Sequence, residues 1–203
     1  MAKRLNIAPT KSSLLKLKEQ LSGMQDGYDL LERKREILTH LVHEKLKQYQ
    51  QLRQQTRSSL VTAYQWLGNA QMRVGSIQLK QIALRLKPAL DIKILHRSNL
   101  GIQYPAIELK ANDLEPISLI SADASMDETR IKLQQATILL AQLGEAELLL
   151  LRMLEEQRKT QKRVNALKYN VIPQYQETIH YIQSNLEEEE RNSLFQIKIL
   201  NQK

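Results

Sequence analysis

The chain has no cysteine. That excludes a disulfide framework, a thiolate zinc site and a cysteine nucleophile. Large aromatics are scarce, with one Trp and one Phe beside seven Tyr in 203 residues. A compact globule draws much of its buried area from such rings, so their scarcity disfavours one. No uninterrupted apolar run exceeds four residues, as at Leu148–Leu151, against the roughly 20 that a membrane span needs. Met1–Lys16 is polar and basic without an apolar stretch, which predicts no secretory leader and a soluble, cytoplasmic protein. The six glycines, at 23, 27, 68, 75, 101 and 144, are too scattered to form a phosphate loop.

What is plentiful is Leu, Gln, Lys, Glu and Arg, all good helix formers. The five prolines are Pro9, Pro88, Pro105, Pro116 and Pro173. A proline inside a helix costs about 3 kcal/mol, so long helices belong in the proline-free intervals 10–87 and 117–172. In the first interval a three-four step from Leu14 runs through Leu17, Leu21, Met24, Tyr28, Leu31, Arg35, Leu38 and Val42 and on to Ile77. Only Arg35, Lys45, Thr56, Ser59 and Arg73 on that stripe are not apolar, which is a coiled-coil pattern. Such a helix over 10–87 would be roughly 115 Å long, with Thr10 as its N-cap after Pro9.

The second interval repeats the step from Ala136 through Leu150, Met153, Gln157, Thr160, Val164 and Leu167 to Val171. The stripe then moves by one residue to Ile172, Tyr175, Ile179, Ile182 and Leu186, beside Pro173. This predicts a helix over 126–201 that continues through Pro173 with a kink or local unwinding there. Ser125 is its expected N-cap. Between the helices the period falls to two. Ile92, Ile94 and His96, then Ile102, Tyr104, Ala106 and Glu108, flank Ser98-Asn99-Leu100-Gly101 as a β-hairpin, within a connection spanning 88–125.

The expected fold is therefore all-α: one elongated domain over 1–203, an antiparallel two-helix coiled-coil hairpin. A small β-hairpin sits at the end away from the termini. Its seam comprises Leu14, Leu17, Leu21, Met24, Leu31, Leu38, Val164, Leu167, Val171, Ile179, Ile182 and Leu186. The polar seam positions Arg35, Lys45, Gln157 and Thr160 set register or receive a partner, register being favoured.

Chemistry is thin. His40 and His43 lie three apart near Glu36 and Glu44, a spacing that a solvated helix face explains better than a metal site. The acidic run Glu187–Glu190 reads the same way. The sequence predicts no catalytic residue, cofactor or metal, hence no enzyme. Net charge is +8, with residues 1–60 holding twelve Lys or Arg against six Asp or Glu. Nucleic acid, an anionic membrane surface and an acidic protein groove all fit such charge. Nucleic acid would call for interleaved aromatics, and a membrane surface for a one-sided apolar face. A negatively lined protein partner fits best. On these residues alone a coiled-coil scaffold or adaptor and a basic nucleic-acid-binding helix pair remain open.

The segments RLNIAPTKSSLLKLKEQL (Arg4–Leu21) and GYDLLERKREIL (Gly27–Leu38) resemble the opening of the D subunit of V-type and A-type rotary ATPases. KRVNALKYNVIPQYQETIHYIQSNLEEEERNSLFQIKIL (Lys162–Leu200) is similar to the end of that family, above all in RVNAL, Ile172–Pro173 and Glu188–Arg191. The resemblance implies a non-catalytic central rotor shaft that couples nucleotide turnover in the head to ion translocation in the membrane sector. Its implied partners are the catalytic and non-catalytic head subunits, a small central-stalk subunit, and a funnel-like subunit on the membrane rotor ring. The complex would hold it on the cytoplasmic side, touching the membrane only indirectly. Candidate head-contacting residues, from position and charge, are Arg4, Lys11, Lys16, Lys18, Arg191, Lys198 and Lys203.

Overall fold

A computed structural model describes residues 4–99, 101–114 and 124–200. Helix α1 runs over Lys11–Val74 and α2 over Ser76–Ala83. Strands β1 (Leu90–Asn99) and β2 (Ile102–Ala111) follow. Helix α3 covers Ala124–Ala166 and passes through a π turn, Leu167–Val171, into α4, Ile172–Leu200. Long helices in a helical hairpin, with one small antiparallel β-hairpin, make up the fold. Packing groups the chain into two compact units, one drawn from residues 1–39 and 157–203, the other from 40–156.

In the first unit α1 begins as its sequence dictates. Thr10 accepts the Ser13 amide on its hydroxyl at 3.1 Å, and its carbonyl accepts the Leu14 amide at 3.0 Å. This N-cap satisfies two groups that a helix start leaves open. α1 and the C-terminal helix lie antiparallel here: Arg35 meets Gln161 and Thr39 meets Gln157. Leu17, Ile179 and Ile182 form a buried cluster, with Leu5, Leu14, Leu21, Tyr175 and Leu186 packed around it. Residues ahead of α1 also pack on α4, where the Leu5 amide donates to Thr178 Oγ1 at 3.2 Å.

The π turn has a local cause. Pro173 has no N–H for the carbonyl four residues back, and its ring crowds that carbonyl. The Ile172 amide bonds to the Leu167 carbonyl, five residues back. The wider turn absorbs one extra residue, which is why the apolar stripe steps from Val171 to Ile172 while the helix continues.

In the second unit the seam is partly built of small residues. Ala63, Ala70 and Ala136 are almost fully buried, with Val42, Leu150 and Met153. Thr56, also buried, bonds back to the Leu52 carbonyl at 2.8 Å. β1 and β2 pair in the register Ile92↔Leu109, Ile94↔Ile107 and His96↔Pro105. Ile102 and Ala106 are the buried side chains of this sheet. Gln134 of α3 donates to the carbonyls of Ala89 and Asn112, at 2.9 and 3.0 Å. Glu145 Oε2 accepts the Ile107 amide at 3.1 Å.

Two expectations need correction. The helix expected over 10–87 is two helices, divided at Gly75, whose φ of 86° and ψ of 151° suit glycine alone. Beyond this break the stripe fails: Ile77 is 73% exposed, and α2 ends at Ala83, well before Pro88. Ser125 is no N-cap. It is the second residue of α3, buried, and its carbonyl accepts the Thr129 hydroxyl at 2.6 Å. The later part of the expected 88–125 connection, residues 115–123, lies outside the described residues.

Candidate functional site

The basic residues singled out by position cluster in the first unit, where α1 starts and α4 ends. Arg4, ahead of α1, reaches α4: its Nε lies 3.7 Å from Glu177 Oε1, and its guanidinium sits 4.8 Å from the centre of the Tyr181 ring. Lys11 Nζ is 2.8 Å from Glu190 Oε1. The hydrogen bond from Lys11, then its charge, holds the Glu190 carboxyl below its usual range. The same bond and charge push the Lys11 ammonium up. Both side chains are open to solvent, so water screens the pair and its contribution to stability is small. Arg191 Nη2 stands 3.9 Å from Glu187 Oε2, one turn back on α4.

Three of the seven candidate cations are thus paired within the chain, Lys11 and Arg191 on the run of acids that the sequence presents as a solvated face and Arg4 on Glu177. Lys16, Lys18 and Lys198 are exposed on α1 and α4. Lys203 lies outside the described residues. Beside these cations the last turns of α4 are apolar and uncovered: Leu194, Phe195 and Leu200 are each about two-thirds exposed or more. Ten consecutive α4 residues, 191–200, are exposed. The arrangement is a basic-and-apolar helix end suited to contact with another surface.

The seam candidates sit as follows. Leu17, Leu38, Val164, Ile179 and Ile182 are buried. Leu14, Leu21, Met24, Leu31, Leu167, Val171 and Leu186 are half-buried. Thr56 and Thr160, polar positions on the predicted stripe, are as buried as the leucines, and so is Thr178, which sequence reasoning missed. Thr178 is recognisable only in hindsight, because its hydroxyl bonds to the Gln174 carbonyl one turn back and so enters the core with its polar group satisfied. Lys45, half-buried at its stripe position, donates to Gln48 Oε1 at 2.9 Å.

Residues 13–202 match the family model for the D subunit of ATP synthase. The chain belongs to the ATP synthase D-subunit family. It is 34% identical over 200 residues to the V-type ATP synthase D subunit of Thermotoga neapolitana, covering 98% of each chain. It is also 34% identical over 203 residues to the A-type ATP synthase D subunit of Pyrococcus abyssi, covering 98% of this chain and 94% of that one. To the A-type D subunit of Methanosphaera stadtmanae it is 30% identical over 198 residues, covering 96% of this chain and 92% of that one. Membership of the D-subunit family therefore extends over both packed units rather than over one segment.

Other chemistry is sparse among the described residues. No three His, Asp or Glu side chains converge as a metal site, and His40 and His43 are not part of one. No helix among them is long and apolar enough to cross a membrane.

Proposed function

We propose that this D subunit is the central rotor shaft of a V/A-type rotary ATPase, transmitting torque between nucleotide turnover in the catalytic head and ion translocation in the membrane sector. The near-full-length family match carries this reading. The shaft performs no catalysis. It works on the cytoplasmic side of the membrane, with the catalytic and non-catalytic head subunits, a small central-stalk subunit, and a funnel-like subunit that links it to the membrane rotor ring.

The physical arrangement supports the role. A shaft that turns against its bearing needs many weak, long-range contacts rather than a few deep anchors, and exposed charge supplies them. Lys16, Lys18 and Lys198 are the cations best placed for an acidic bore. Leu194, Phe195 and Leu200 add apolar contact at the same end of α4. The Leu5 amide on Thr178 and the Arg4 guanidinium over Tyr181 hold the residues ahead of α1 on α4, so the two chain ends turn together.

The test uses the absence of cysteine. A single cysteine at Leu194, and one on the facing head subunit, are joined by a disulfide in the assembled complex. Nucleotide turnover should stop on oxidation and return on reduction. Turnover that continues with the disulfide formed would rule out a rotating shaft. A parallel complex carrying Lys16→Gln, Lys18→Gln and Lys198→Gln should assemble more weakly as salt rises. Unchanged assembly at every salt concentration would remove those lysines from the contact.

A further inference from the structure

The seam of the first unit contains a layer of long polar side chains that bond across the helix pair. Arg35 of α1 donates through Nη1 to Gln161 Oε1 across the pair, at 3.2 Å, and its Nη2 lies 2.6 Å from Glu32 Oε1. One turn on, Gln157 Nε2 donates to Thr39 Oγ1 at 2.9 Å, and the Thr39 hydroxyl donates to the Arg35 carbonyl at 2.8 Å. Gln161 Nε2 donates to Asn165 Oδ1 at 2.8 Å. The second oxygen of Glu32, Oε2, is buried without a hydrogen-bond partner. Leu38, Thr160 and Val164, all at most 2% exposed, belong to the same stretch of the two helices.

Apolar heptads alone define the axial register poorly. If the C-terminal helix slid one heptad along α1, the position of Ile179 in the core would pass to Ile172 or Leu186, which pack almost as well. The polar layer has no such tolerance. The same slide would set Leu154 or Lys168 against Arg35, in place of Gln161. It would set Leu150 or Val164 against Thr39, in place of Gln157. Each alternative costs the half-buried Arg35 guanidinium its cross-helix acceptor, leaving only Glu32 on its own helix, and costs Gln157 its bond to Thr39; half-buried polar groups that lose partners carry a penalty. Polar residues at single seam positions are known to fix register at some cost in stability. The partnerless Glu32 oxygen shows that cost here.

We propose that Glu32, Arg35, Thr39, Gln157 and Gln161 form a register lock: a polar layer that admits one axial pairing of α1 with the C-terminal helix and excludes its heptad-shifted neighbours. The inference is independent of the rotor-shaft reading, because it concerns the hairpin by itself.

The experiment uses the full chain with spin labels on two introduced cysteines, Gln20→Cys and Asn192→Cys. Both sites are exposed in the first unit, and both lie outside the lock. The labelled chain should show a single inter-label distance. With Glu32→Leu, Arg35→Leu, Gln157→Leu and Gln161→Leu added, the melting temperature should stay level or rise. A second distance population should appear, displaced by up to about 10 Å, the length of one heptad. The variant Gln161→Glu, which keeps an acceptor for Arg35, should retain one distance. A single native distance in the four-leucine variant would overturn the proposal, since register would then be set elsewhere. So would a marked fall in its melting temperature, since the layer would then serve stability.

Discussion

The π turn makes an unusual prediction about inserted and deleted residues. In a regular helix, adding or removing one residue rotates everything beyond it by about 100°, so the two changes do equal harm. Here the turn Leu167–Val171 already holds one residue too many. Deleting the exposed Asn170 should convert it to ordinary α-helix and leave Tyr175, Ile179, Ile182 and Leu186 on the seam. Pro173 would then sit in a regular helix interior at a cost of about 3 kcal/mol, so the deletion is paired with Pro173→Ala. That double change should keep stability within about 1 kcal/mol of the parent. Inserting an alanine after Asn170 has no such escape. It swings Ile179 and Ile182, 8% and 0% exposed, out of the core. At roughly 2–5 kcal/mol for each large side chain removed from a core, the loss is about 4–10 kcal/mol. That is comparable with the whole stability of a domain, about 5–15 kcal/mol. Circular dichroism at 222 nm during thermal unfolding reads the difference. At roughly 2–4 °C per kcal/mol, the insertion should lower Tm by at least about 8 °C, and the paired deletion by no more than about 4 °C. Equal losses from both would refute the argument that the turn stores an extra residue.

Three further outcomes follow from single sites. Leu38→Ala, at a position 1% exposed, should cost roughly 2–5 kcal/mol, whereas Leu15→Ala, at one 70% exposed, should stay within about 0.5 kcal/mol in the same melt. Gly75→Ala should destabilise by about 1–3 kcal/mol: an added Cβ would meet nothing within 4 Å, so the penalty is purely conformational, and a more stable variant would show that Gly75 does not set the break. For Lys11 and Glu190 the sign differs at each end of the pH scale. The depressed Glu190 carboxyl contributes above its ordinary 4.5 and loses that contribution as pH falls through its lowered value. The raised Lys11 ammonium contributes below its ordinary 10.5 and loses it as pH climbs through its raised value. Lys11→Met should therefore show a small Tm deficit only between those limits and only at low salt, vanishing at 1 M, where the screening length is about 3 Å. A deficit that persisted at 1 M would point to lost packing of the lysine stem.

Much of the fold is legible in the sequence because one interaction dominates it. A stripe repeating every three and four residues leaves little choice but a helix pair, and the step beside Pro173 announces a local change of pitch. The β-hairpin shows through its change of period, and the strands extend that reading to Leu90 and Ala111. The break at Gly75 is harder to see. A lone glycine within a helical pattern is commonly tolerated, and the failing stripe at Arg73, with Ser76 just beyond, is a faint cue. The candidate site is legible only as a set of charges. That Arg4 would meet Glu177 and Tyr181, or Arg35 would meet Gln161, depends on the register between distant segments. Composition cannot supply that, and a heptad supplies it only up to shifts of seven.

A two-stranded ribbon is marginally stable alone in water, yet this one is held at its base and along one strand by α3. One carboxamide, that of Gln134, spans the strand bases by bonding the residues just before β1 and just after β2, and one carboxylate, that of Glu145, holds an amide of β2. The ribbon borrows its order from the helix beneath it. Its amides should therefore exchange with solvent in step with α3, as part of one cooperative folding unit rather than as a separately fraying appendage.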